Sequence, residues 1–215
     1  MNEEIKPHKV YVAGTGRSGT TFLMIIFTLL GLDTGFDINT WERGCYAECN
    51  GVMSGMERST PMDDVYIIKQ PGFISKVEEL VHKVNIDFMI IPIRDYNESA
   101  RSRETIGSGN AGGLWNASNF EEQKIFYYTI ISEYLLSMVN HSIPTIFISF
   151  ERMVNDKKYL FNTLKPFLKK ENIKYSDFER AYDTATSHQT GLKNLRKNRK
   201  NPNNAIRWKK NKWEE

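Results

Sequence analysis

The sequence predicts an α/β domain with three layers, α/β/α, and a mostly parallel central sheet. Three observations lead there. Four short runs are rich in β-branched and aromatic residues: Lys9-Val10-Tyr11-Val12-Ala13, Val65-Tyr66-Ile67-Ile68, Phe88-Met89-Ile90-Ile91-Pro92-Ile93 and Thr145-Ile146-Phe147-Ile148-Ser149-Phe150. None alternates cleanly with polar residues, as befits strands covered on both faces. Helical stretches separate the runs, and strands alternating with helices form βαβ units with parallel neighbours.

In chain order, the strand at 9–13 leads into a helix over about 19–31. Its apolar run, Phe22 to Leu30, is far shorter than the roughly 20 residues of a membrane span, so none is expected. Residues 32–64 hold Gly, Asp and Asn with no lasting period and read as an irregular stretch. After the strand at 65–68 come a helix at 74–84, the strand at 88–93 and a glycine-rich loop at 107–118. Long irregular loops in a compact domain are often binding loops. The helix at 119–140 places Ile125, Tyr128, Ile131, Leu135 and Leu136 close to one face, the stripe expected to meet the core. The strand at 145–150 and helices at 156–170 and 175–188 complete the domain, with loop and a basic patch from about 190.

Length and composition fit one domain over residues 1–215: 25.0 kDa, 40% hydrophobic and 26% charged. Cys45 and Cys49 are the only cysteines and are expected to be reduced thiols. The four histidines show no ligand spacing, so no metal site is expected. The chain opens without a charged-then-apolar leader, which gives a cytoplasmic location as the expectation. Net charge is divided unevenly. Residues 192–215 carry 9 Lys/Arg against 2 Asp/Glu, leaving 20 against 24 for residues 1–191. An anion-binding segment and a solvated basic tail both fit that asymmetry.

The chemistry concentrates in Val10-Tyr11-Val12-Ala13-Gly14-Thr15-Gly16-Arg17-Ser18-Gly19-Thr20-Thr21-Phe22-Leu23. A strand ends, glycines turn the backbone, and a helix starts with hydroxyl residues. Such a turn gathers N–H groups and a helix N-terminus around one anion. The spacing Gly14-x4-Gly19-x-Thr21 is the frame of a P-loop, but Thr20 stands where a nucleoside triphosphatase carries its lysine.

Gly16-Arg17-Ser18-Gly19-Thr20-Thr21-Phe22 resembles the 5′-phosphosulfate loop of the sulfotransferases that use 3′-phosphoadenosine 5′-phosphosulfate (PAPS). The resemblance implies a P-loop-type fold, Arg17 on the phosphosulfate, and Gly19, Thr20 and Thr21 on the 5′-phosphate, with Gly16 and Ser18 in the same loop. Phe22 occupies the place of an aromatic that stacks on adenine in that family; a first-turn core residue is the other reading. Ile90-Ile91-Pro92-Ile93-Arg94-Asp95, with Ser102 eight residues after Arg94, resembles the family's 3′-phosphate site. A strand end and the next helix bring a guanidinium and a hydroxyl to one phosphate, and arginine offers a planar fork. Ser99 is the neighbouring alternative to Ser102.

Weaker likenesses cover most of the chain. Lys69-Gln70-Pro71 resembles a Lys-x-Pro strand end used catalytically in the family, and Phe150 to Leu164 resembles its late structural motif. Arg196 and Lys197, with Arg207-Trp208-Lys209 beyond, resemble a loop that closes over the 3′-phosphate, although the expected glycine is missing; the alternative is a solvated tail. The implied reaction is in-line transfer of a sulfuryl group to a hydroxyl or amine, releasing PAP, with no metal. Arg17 and the loop amides would neutralise the leaving phosphate, Lys69 would stabilise the bridging oxygen, and Glu48 or else Glu42 would serve as base. A small-molecule or carbohydrate acceptor is expected, with Trp41 and Trp115 available either to stack on it or to pack internally. Two other classes stay open: a P-loop kinase or hydrolase using Asp95 on magnesium, and a nucleic-acid binder using the basic tail. The acidic body and the lack of a nucleic-acid motif weigh against the last.

Overall fold

The computed structural model describes residues 6–44, 48–49, 52–53, 55–58, 60, 64–107, 109 and 112–199, with 43–44, 48–49, 52–53 and 189–199 as backbone only. The elements run β1 (His8–Val12), α1 (Thr20–Leu29), α2 (Trp41–Gly44), β2 (Glu48–Cys49), β3 (Val52–Met53) and β4 (Ile67–Lys69). A 3-10 turn (Pro71–Ser75) then precedes α3 (Val77–Lys83), β5 (Asn85–Ile93), α4 (Tyr96–Glu104) and α5 (Phe120–Asn140). The chain continues with β6 (Thr145–Ser149), α6 (Phe150–Asn155), α7 (Lys157–Lys170) and α8 (Tyr175–Arg199). Strands β4, β1, β5 and β6 form one sheet in that order, every pair parallel.

Side chains of β1 alternate between two cores, one on each face of the sheet. Val10 and Val12 join Ile67, Ile90, Ile146 and Ile148 under α1, α6, α7 and α8. Tyr11 and Ala13 join Ile68, Met89 and Ile91 under α3, α4 and α5. The centre of the sheet is therefore dry on both faces, which is why its strands read as unbroken apolar runs, while Phe147 on β6 stays exposed. Phe167 of α7 locks the first core, edge-on to Phe27 at 5.3 Å and to Phe88 at 5.9 Å.

Four local expectations change. The 74–84 helix divides into the 3-10 turn and α3, and α8 stays helical to Arg199 where a loop was expected from 190. The irregular 32–64 stretch contains α2 and the small antiparallel β2–β3 pair. The largest change is in α5, whose buried residues are Gln123, Tyr127, Ile130, Tyr134 and Ser137. Ile125, Tyr128, Leu135 and Leu136, the predicted inner stripe, are exposed. Hydrogen bonds decide the orientation: the Gln123 amide accepts from Trp115 N–H at 2.7 Å and donates to its carbonyl at 3.2 Å, and the Tyr134 hydroxyl meets Thr145 Oγ1 at 2.5 Å. No helix among the described residues is long and apolar enough to cross a membrane.

Candidate functional site: an anion cradle at the strand ends

Strand order reverses at β1: the chain steps from β1 out to β4 on one side, then to β5 and β6 on the other. Parallel sheets offer ligand sites beyond the carboxyl ends of their strands at such a reversal. The glycine loop Gly14–Gly19 leaves β1 there, and Arg94 leaves β5 there. Pro92 marks the opening. It lies two residues past Ile90, the last residue of β5 paired with β1, so its missing N–H falls where β1 has already given way to Gly14.

Gly16 and Gly19 are required by geometry. Both have positive φ, 71° and 89°. A Cβ on Gly16 would lie 2.2 Å from Arg103 Nη2, and one on Gly19 2.5 Å from Met153 Cε. Among the described residues, no backbone carbonyl receives the N–H of Gly16, Ser18 or Gly19. Side chains cap α4, α5 and α7 (Asp95, Asn119 and Asp156), whereas none caps α1 behind the loop. Thr15 and Ser18 are fully buried, and their hydroxyls have no hydrogen-bond partner among the described residues. Buried polar atoms are nearly always satisfied, so such a cluster points to a missing anionic or polar ligand.

Arginines surround the loop. Arg94 Nη1 donates to the Arg17 carbonyl at 3.3 Å, while its Nε and Nη2 hold Glu98 and its plane lies 4.7 Å over the Phe150 ring. Arg17 Nε donates to Ser102 Oγ at 3.2 Å. The two sequence signatures thus meet. Ser102 rather than Ser99 faces the loop; Ser99 is fully buried with its hydroxyl unpartnered. An open cavity of about 580 Å³ adjoins Arg94, lined also by Asp95, Tyr96, Tyr128, Phe147 and Ser149.

Arg103 enters the site only with the fold, where it is buried, 7% exposed. It donates to Thr15 O at 3.1 Å, to Gly113 O at 2.6 Å and to the Tyr127 hydroxyl at 2.7 Å. Burial pushes the Tyr127 phenol up, against the pull of Arg103 and Arg17, which keeps it a neutral acceptor. No carboxylate among the described residues pairs with Arg103, so a buried cation sits under the loop with one hydrogen bond from each of its three nitrogens and its charge uncompensated among them. Only an alternation of Arg with polar residues in Arg101-Ser102-Arg103 hinted at it.

Lys69 is 2% exposed at the end of β4. Its Nζ donates to the Gly55 carbonyl and to Glu57 Oε1 at 3.0 Å, and Thr21 Oγ1 of the loop donates to the same Gly55 carbonyl at 3.2 Å. Glu57 is a residue that sequence reasoning passed over. Glu42 is two-thirds exposed, 3.6 Å from His188 Nδ1. The side chains of Glu48, Arg196 and Lys197 lie outside the described residues. Phe22 is 2% exposed and edge-on to Tyr182 at 5.5 Å, so it has the surroundings of a core residue, with no free face for a base. Trp41 is buried edge-on to His188, and Trp115 packs on Phe126 beneath Arg103, so both serve packing. Asp95 accepts the Glu98 N–H at 2.9 Å as the cap of α4. Unpaired amides, orphaned hydroxyls and clustered guanidiniums are chemistry for a polyanion. Compared with known protein families and with curated proteins, the chain matches none of either.

Proposed function

We propose that the protein is a sulfotransferase with a P-loop-type fold, which moves a sulfuryl group from PAPS to a hydroxyl or amine of a small-molecule or carbohydrate acceptor. The observation that carries this reading is the approach of Arg94 to the loop: its guanidinium lies 3.3 Å from the Arg17 carbonyl although the two residues stand 77 apart in the chain. A nucleotide bearing phosphates on both its 5′ and 3′ positions calls for two neighbouring basic sites, and an ordinary nucleoside triphosphate calls for one. The donor fits the residues present: the open α1 N-terminus, the unpartnered Thr15 and Ser18 hydroxyls and the uncompensated Arg103 charge all favour a phosphate at the loop.

PAPS would supply the sulfuryl group, the acceptor oxygen or nitrogen bonding sulfur as the sulfur–oxygen bond to the 5′-phosphate breaks and its electron pair leaves on that phosphate. Arg17 and the loop amides stabilise the developing negative charge, and one preorganised donor of this kind contributes about 2.7–4 kcal/mol. Arg94 and Ser102 hold the 3′-phosphate with charge-assisted hydrogen bonds. Lys69, joined to Thr21 through Gly55, supplies positive charge from beside the loop. The acceptor's proton passes to a carboxylate, for which Glu48 and Glu42 are the sequence candidates and Glu57 is added by its pairing with Lys69. Thr20 in place of the P-loop lysine, and Asp95 engaged as a helix cap, weigh against a kinase.

A thermal-shift comparison tests the reading. PAP at about one hundred times its Kd is expected to raise Tm by roughly 5–10 °C, with AMP and ATP well below that. Equal shifts from the three nucleotides, or a larger one from ATP, overturn it.

A further inference from the structure

We infer that the outward face of α5 is a self-association surface whose occupant is α5 of a second copy of this chain, packed antiparallel. Ile125, Tyr128, Leu135, Leu136 and Val139 are 65%, 56%, 40%, 64% and 69% exposed. Ile125, Tyr128, Leu135 and Val139 fall at helical a and d spacing with Leu136 on the flanking e position, all along one stripe, the pattern of a helix seam that expects a partner. The stripe is self-complementary. Counted from exposed Ser132, Ile125 and Val139 lie seven residues away on either side, and Tyr128 and Leu136 lie four away. A two-fold axis through Ser132 therefore sets Ile125 against the partner's Val139 and Tyr128 against its Leu136. The small serine pair at the axis lets the helices approach closely. Such a patch, identical on both copies and complementary to itself, is what a closed two-fold dimer needs.

Area favours the same occupant. With Phe147, 39% exposed on β6 and 6.3 Å from the Tyr134 ring, these residues expose on the order of 600 Å², most of it apolar. That is at the top of the monomer range and near the ~800 Å² per partner of a standard interface once flanking residues are added. Phe147 extends the patch to the edge of the sheet, where β6 has a neighbour on one side only. Antiparallel packing also sets the two helix dipoles in opposition, which favours that orientation over a parallel one.

Sedimentation of the full chain between about 1 and 200 µM is expected to show a monomer–dimer equilibrium, and Leu136→Glu to raise its Kd by at least about tenfold. Register is read by oxidative cross-linking with Cys45 and Cys49 replaced by serine. Ser132→Cys is expected to form disulfide dimers, as is a mixture of Ile125→Cys and Val139→Cys chains, whereas Ile125→Cys alone forms none. Unaltered circular dichroism and melting of each variant guard against misfolding, and Val139→Glu repeats the test should Leu136→Glu fail it. A monomer at every concentration, or efficient self-linking of Ile125→Cys, overturns the inference.

Discussion

The two ends of the central sheet handle polar groups in opposite ways. At the amino end, Asp87 takes hydrogen bonds from His8 Nδ1 at 2.6 Å and the Tyr66 hydroxyl at 2.7 Å, and Lys170 pairs with the same carboxylate. Acid and bases balance. Burial pushes the Asp87 carboxyl up, but the bonds from Lys170, His8 and Tyr66 outweigh it and hold the group below the usual range. Burial and Asp87 together push the Tyr66 phenol up to about 12. At the carboxyl end the hydroxyls of Thr15 and Ser18 have no partner among the described residues, and Arg103 meets only neutral acceptors there. A polar cluster closed by its own residues contributes stability; one left open awaits something from solution. The difference separates scaffold from site more sharply than residue type does, since both ends are rich in cations.

Three substitutions would break or sharpen that contrast. The largest effect is expected from Gly16→Ala, which places a Cβ on Arg103 Nη2 in a left-handed backbone. Strain and overpacking should cost about 2–4 kcal/mol in urea unfolding and abolish the PAP-induced rise in Tm; wild-type stability with an intact response would remove the geometric basis of the loop. Next, Arg94→Ala should weaken PAP binding by roughly 1.5–3 kcal/mol by calorimetry and leave AMP almost untouched. A uniform loss would mean that Arg94 does not read the 3′-phosphate. The smallest effect belongs to the closed end: Asp87→Asn should lower stability by about 1–2 kcal/mol near neutral pH and leave PAP affinity as it was. Because the folded carboxyl is held below its ordinary 3.8, its contribution is present above that value and lost as pH falls through the folded one. The gap between wild type and variant should therefore close in acid, and a constant gap in acid unfolding would place the effect elsewhere.

Much of this was legible in the residues themselves. Dry strands announce themselves as apolar runs, so β1, β4, β5 and β6 appear within a few residues of their predicted places. The glycine loop and Arg94 were also visible, because phosphate chemistry demands particular residues at close spacing. The face of α5 was not. Periodicity finds a stripe without saying what covers it, and here Gln123, Tyr127 and Tyr134 turned inward to hydrogen-bond partners on other elements and loops. Arg103 was hidden for the same reason: its three acceptors come from the loop, the glycine-rich segment and α5, which only the fold assembles. Glu57 lacks any local motif and is defined by Lys69 alone.

That three-way tie of Arg103 has a thermodynamic consequence. By anchoring Thr15, Gly113 and Tyr127 to one rigid planar group, it freezes the curvature of the turn during folding, before any guest arrives. On the proposed reading an incoming oxyanion would meet dipoles already aimed at it, and little of its association energy would be diverted into arranging them.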